Sequence, residues 1–223
     1  GLVIGNQAGG MPGAFSAGAD LVQVGTAAKT NRLDEVDQMI RALHAVIQKE
    51  TYSPFPVVAA PYGLALGGGC EVCLAADRIV AHAELYMGLV EIGVGLLPAG
   101  GGCVRLYKRN VARMSDGQDV YAALRTSFET IGMAKVSTSA EEAQQLGILR
   151  PGDAWSMNKD QRIADAKDVC LALADGGFVP PVPDPSSTIV SADRTPATST
   201  TRRSRKRELG TIDATCLGCF RNS

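Results

Sequence analysis

Three consecutive glycines occur twice in this chain, as Gly67-Gly68-Gly69 and as Gly100-Gly101-Gly102. No other feature restricts the backbone as much. Each glycine inside a helix or strand costs up to about 1 kcal/mol relative to alanine, so triplets belong where the chain turns tightly or approaches another group closely. Both triplets follow short apolar runs and precede apolar, helix-compatible stretches, which places them at strand-to-helix junctions.

The rest of the pattern agrees with such junctions. Gly1-Leu2-Val3-Ile4-Gly5-Asn6 reads as the middle of a buried strand already under way. Leu33, Val36, Met39, Ile40, Leu43, Val46 and Ile47 recur at three- and four-residue steps, which predicts an amphipathic helix. Pro56 to Ala60 is a short apolar strand, and Gly63 to Gly69 is expected to turn it into a second helix. Asp77 to Ala81 reads as another strand. Ser139-Ala140-Glu141-Glu142 is a capping box that opens a short helix. Residues 159–175, with Ile163, Ala166, Val169, Cys170 and Leu173 in phase, form a last helix. Alternation of buried short strands and helices means an α/β layered fold.

From about Pro180 the composition changes to a proline-rich run, a Ser/Thr-rich stretch and the basic cluster Arg202-Arg203-Ser204-Arg205-Lys206-Arg207. No hydrophobic period organises that segment, so residues 1–178 are expected to form the domain and 179–223 a tail, disordered from about 185. The formal net charge of −1 gives no electrostatic case for a nucleic acid or an anionic membrane. The basic cluster lacks interleaved aromatics and reads as solvated. No apolar run reaches the roughly 20 residues of a membrane span and no signal-peptide pattern opens the chain, so the expected compartment is the cytoplasm.

Six cysteines include the spacings Cys70-x-x-Cys73 and Cys216-x-x-Cys219. The first pair lies in an apolar, helix-like stretch rather than on a zinc knuckle, so packed, reduced thiols are the expectation. His44 on the predicted helix and His82 after a strand have no recognisable triad partners and are expected at the surface.

Three segments can carry chemistry. Phe15-Ser16-Ala17-Gly18-Ala19-Asp20 ends a strand with small residues, which leaves backbone N–H groups unobstructed, and Asp20 suits a helix cap. Gly63-Leu64-Ala65-Leu66-Gly67-Gly68-Gly69-Cys70-Glu71 frees N–H groups at a helix N-terminus, where negative charge is favoured. A dinucleotide fingerprint G-x-G-x-x-G is missing from it. Glu71 lies one turn inside an apolar helix, so it is either partly buried with a raised pKa or solvent-facing. Glu91 is the only charged residue between Glu84 and Arg105. A buried, unpaired carboxylate costs several kcal/mol, so such isolation points to a function.

FSAGAD, ALGGGCE and the segment from Glu91 to Gly102 together resemble the enoyl-CoA hydratase/isomerase (crotonase) superfamily, closely over residues 2 to 108. Phe128 to Ser139, followed by Met157-Asn158-Lys159-Asp160, is similar to the crotonase portion of bacterial bifunctional proteins that also carry a 3-hydroxyacyl-CoA dehydrogenase domain. The resemblance implies an incomplete crotonase β-β-α spiral with a helical C-terminal part. It implies an oxyanion hole built from the N–H groups of Ala19 and Gly68, and catalytic carboxylates at Glu71 and Glu91. Ala17, Asp20 and Ala99 become substrate-binding candidates. The implied substrate is an acyl-CoA thioester, with no metal and no cofactor for hydration; NAD enters only with a dehydrogenase domain in a parent protein. The implied assembly is a homotrimer or an intramolecular dehydrogenase partner. Retention of both glutamates favours hydration of trans-2-enoyl-CoA; a Δ-isomerase and a catalytically silent assembly fragment are the alternatives.

Two departures accompany the resemblance. The strands and helix that precede the Leu2 strand in the family are missing here, so the fragment is expected to bind substrate poorly. Ala99-Gly100-Gly101-Gly102 stands where the family has G-A-G-G, a change that keeps the backbone donors.

Overall fold

A computed structural model describes residues 1–6 and 13–183. The expected disordered tail from about 185, the basic cluster at 202–207 and the Cys216–Cys219 pair lie outside the described residues. Gly1–Val182 forms one compact unit.

The chain winds through strand–strand–helix turns. β1 (Leu2–Gly5) and β2 (Ala14–Ser16) are followed by α1 (Leu21–Lys29) and α2 (Leu33–Thr51). β3 (Val57–Ala60) and β4 (Gly63–Leu66) lead into α3 (Gly68–Ala75). β5 (Arg78–His82) and β6 (Leu85–Gly88) lead into a 3-10 turn (Glu91–Val94) and α4 (Gly102–Ala112). A mainly helical part closes the unit: α5 (Val120–Gly132), α6 (Ala140–Gln145), β7 (Ala154–Ser156) and α7 (Arg162–Asp175).

In each turn the first strand joins one sheet, of order β1-β3-β5-β7, and the second joins another, of order β2-β4-β6. Every pairing is parallel. Parallel neighbours need a long crossover, which the intervening helices supply. This is the expected β-β-α spiral.

Strand β3 shows why a continuous apolar run was needed. All four of its residues are buried, since it lies between two neighbours and is covered on both faces. Val57, Ala59, Ile79 and Ala81 point to a core shared with Cys70, Cys73, Leu74, Leu85, Met87 and Leu106. Val58, Ala60 and Val80 point the other way, to Ala166 and Cys170 of α7. Cys70 and Cys73 are therefore core side chains. At the start of α6, Ser139 Oγ accepts the Glu142 N–H at 3.1 Å. The Glu142 carboxylate reaches one residue beyond the usual box, to the N–H and hydroxyl of Thr138, both at 2.7 Å.

Three expectations need correction. The opening strand is not buried: among the described residues β1 pairs with β3 alone, which leaves it an edge strand with Leu2 and Gly5 exposed. Gly63 to Leu66 is not a turn but a strand, held between β2 and β6 by backbone pairing that four residues of mixed pattern do not announce. The apolar stripe of α2 is only partly covered; Ile47 is buried, whereas Leu33 and Val46 are exposed.

Candidate active site

The site begins where β2 and β4, paired in one sheet, release their chains side by side. The loop after β2 turns at Gly18, whose φ of +92° favours glycine. A Cβ at Gly18 would lie 3.2 Å from the Leu66 carbonyl oxygen and 3.8 Å from Gly68 N, so this loop abuts the glycine junction after β4. Ala17 and Ala19 are exposed beside it. Asp20 caps α1, accepting the N–H groups of Val22 at 2.9 Å and Gln23 at 3.1 Å. Gly68 is the first residue of α3, where helical N–H groups have no intrahelical acceptor. Among the described residues neither the Ala19 nor the Gly68 N–H has an acceptor.

Glu71, one turn into α3, is buried and not solvent-facing. Both of its carboxylate oxygens accept the Gly100 N–H at 2.8 Å, and Oε1 also accepts the Gly102 N–H at 2.8 Å. Gly102 opens α4, so the carboxylate sits at a helix N-terminus. Burial raises its pKa; the Gly102 and Gly100 amides, then Arg105 and His44, oppose the rise. A Cβ at Gly100 would fall 2.5 Å from Glu71 Oε2, so only glycine allows this approach.

Glu91 opens the 3-10 turn behind β6 and is half-buried. Its Oε1 lies 3.2 Å from where a Cβ would stand on Gly67, a point 3.8 Å from Gly18 Cα. Its Oε2 is buried with no hydrogen-bond partner among the described residues. Burial pushes its pKa up to about 7, and the nearby Glu71 charge adds to the rise. The same two carboxylates push up the Cys103 thiol, after burial, to about 11. Residues 18–19, 67–68, 71 and 91, separated in sequence, thus meet around one glycine junction.

Two residues of this environment escape a reading of sequence. His44 is not at the surface: it is half-buried, with Nε2 against the Ala99 carbonyl. Its place in phase with Ile40 and Ile47 on α2 is the signal that could have found it. Ala99, a substrate-binding candidate, therefore has its carbonyl engaged by protein. Arg105 donates to the Gly100 carbonyl at 3.2 Å and to Thr51 Oγ1 at 2.7 Å. His82 is half-buried away from the site, edge-on to Tyr62, with Nε2 3.0 Å from the Met157 carbonyl. Cavities of about 230 and 460 Å³ lie elsewhere, at the C-terminal end of α3 and between α4 and α5; neither is lined by Ala19, Gly68, Glu71 or Glu91. No described helix is long and apolar enough to cross a membrane.

Known proteins are similar to this chain in sequence and fold. The chain is 47% identical over 182 residues to a protein of Bacillus subtilis (strain 168) named probable 3-hydroxyacyl-CoA dehydrogenase, covering 82% of this chain and 22% of that one. It is 40% identical over 122 residues to the mitochondrial methylglutaconyl-CoA hydratase of Rattus norvegicus, covering 50% of this chain and 38% of that one. The fold matches an enoyl-CoA hydratase crystal structure from Polaromonas sp. JS666 with a TM-score of 0.58 at 24% identity, over 73% of this chain and 56% of that one. The chain thus spans well under half the length of these curated relatives and somewhat over half of that solved structure. The profile of the enoyl-CoA hydratase/isomerase family matches residues 8–151, and the chain belongs to that family, with the crotonase fold.

Proposed function

We propose that the site adds water across the double bond of a trans-2-enoyl-CoA thioester to give a 3-hydroxyacyl-CoA. The observation that carries this reading is the pair of differently held carboxyls beside two N–H groups without acceptors. Glu71 receives amide hydrogen bonds that favour its carboxylate, whereas Glu91, with Oε2 buried and unpartnered among the described residues and its pKa pushed up to about 7, holds a proton near neutrality. In this reading Glu71 takes a proton from water as the water oxygen bonds to C3. The C2–C3 π electrons move toward the thioester carbonyl, and the enolate oxygen is held by the Ala19 and Gly68 N–H groups, about 3–4 kcal/mol each by comparison with other oxyanion holes. Glu91 then delivers its proton to C2, and the proton taken by Glu71 restores the starting state through solvent. Ala17 lies beside the incoming thioester; Asp20 serves the site by capping α1, and Ala99 by its place in the turn that holds Glu71.

No cofactor takes part in this step. The similarity to a dehydrogenase-named relative, of which this chain spans 22%, and to a putative fatty acid oxidation complex trifunctional enzyme of Rickettsia felis supports a place in a longer polypeptide for fatty-acid oxidation, with the cytoplasm as the proposed compartment. A dehydrogenase domain there would use NAD to oxidise the 3-hydroxyacyl product, and a trimer is the alternative assembly.

The test is turnover of a trans-2-enoyl-CoA, with water addition read by product mass. Glu71→Gln and Glu91→Gln should each lower kcat by about 10²–10⁴-fold with KM changed only a few-fold. Full turnover by both variants would sink the hydratase reading. Glu91, with one unpartnered oxygen, could also shuttle a proton alone. Conversion of a 3-enoyl-CoA to the 2-enoyl isomer without hydration would assign the Δ-isomerase reaction, and no thioester turnover at all would leave only an assembly role.

A further inference from the structure

The Ala99–Gly100 peptide is held at both ends. Its carbonyl oxygen meets His44 Nε2 from α2, and its N–H, on Gly100, donates to both oxygens of Glu71 at 2.8 Å. One residue on, the Gly100 carbonyl is held by Arg105 at 3.2 Å. A trans peptide is planar, with C=O and N–H pointing in opposite directions, so fixing the oxygen aims the hydrogen. A hydrogen bond received at the oxygen also polarises the unit and strengthens its N–H as a donor. A carbonyl oxygen only accepts, so the Ala99 contact requires hydrogen on Nε2, which the Nε2–H tautomer supplies as well as the cation.

We infer that His44 is a positioning residue for Glu71: through the Ala99–Gly100 peptide it aims and strengthens the amide that holds Glu71 as a carboxylate. The inference rests on the reading of Glu71 as the base that takes the proton of water. Other charged or titratable groups act at or near Glu71: Arg105 from α4, Glu91 from the 3-10 turn, and the thiols of Cys70 and Cys103. His44 differs from these in reaching the carboxylate through a peptide bond as well as through space. Separately from the peptide, the His44 charge acts through space to lower the Glu71 pKa against the effect of burial.

The experiment titrates Glu71 by carboxyl-carbon NMR in the full chain, with the resonance assigned through Glu71→Gln. His44→Ala should move the Glu71 titration to higher pH, because the carboxylate loses a polarised donor. His44→Gln, which still offers an N–H to the Ala99 oxygen, should return it toward the wild-type position. In turnover, His44→Ala should lower kcat by about 10- to 100-fold with KM within about twofold, and His44→Gln should recover most of the loss. If His44→Ala does not fold, His44→Asn replaces it, since its shorter side chain leaves the Ala99 oxygen unreached. Superimposable Glu71 titrations in wild type and the donor-less variant, with the fold retained, would overturn the positioning role whatever the activity. A shifted titration in a protein that does not hydrate enoyl-CoA would uphold the positioning role and reject the hydratase reading alone.

Discussion

Glu50→Gln is expected to stabilise the protein at neutral and alkaline pH. Glu50 lies near the end of α2, is 7% exposed, and both of its carboxylate oxygens are buried without a hydrogen-bond partner among the described residues. Burial pushes its pKa from 4.5 up to about 8; the Arg105 charge pulls it back and the Asp77 charge pushes it further. The folded state therefore holds a proton here over a range in which the unfolded chain has released it. The stability this group contributes is fully present below about pH 4.5 and is lost as pH rises to about 8. At about 1.4 kcal/mol per pH unit, the loss is about 5 kcal/mol when complete, of which about 3 kcal/mol has gone by pH 7. Glutamine keeps the shape and cannot ionise, while Arg105 keeps its bonds to Thr51 and Gly100. Urea unfolding from pH 4.5 to pH 9 measures the effect. The two proteins should be similar at the acid end and diverge by about 3 kcal/mol at pH 7. Parallel stability curves would refute the claim that a neutral, desolvated Glu50 sits in the native state.

Other consequences can be checked separately. If protonated Glu91 is the acid, kcat should fall above about pH 7 by roughly tenfold per unit, and a rate–pH profile of Glu91→Gln should lack that limb. A Cβ at Gly100 would stand 2.5 Å from Glu71 Oε2 and 2.7 Å from Ile47 Cδ1. Thermal unfolding of Gly100→Ala should show a loss of about 1–3 kcal/mol, with turnover reduced by displacement of Glu71. Asp20→Ala should cost about 1 kcal/mol and speed hydrogen exchange at Val22 and Gln23, whereas Asp20→Asn should retain the cap.

Local chemistry carried much of the organisation. Helical spacing in α2 and α7, the apolar run of β3, the apolar centre Ile79–Ala81 of β5, and the Ser139 cap each express a preference that neighbouring residues settle among themselves. The glycine triplets mark the junctions because only glycine tolerates the approach found at Gly100, and the isolation of Glu71 and Glu91 singled them out as candidates. Packing decided the rest. Strands β4 and β6 are four residues each, too short for a period to be distinguished, and exist because they pair with neighbours from other turns of the spiral. The amides that hold Glu71 come from 29 and 31 residues away, so donors that a sequence offers to a ligand are instead given to a side chain. His44 meets Ala99 across 55 residues. Glu50, one more acidic residue on a helix when read along the chain, becomes a buried carboxyl only when α2 packs against α3, with Arg105 of α4 nearby. Burial and partner choice depend on which surfaces the tertiary fold brings together, and that is where the candidate site acquires its two differently held carboxyls.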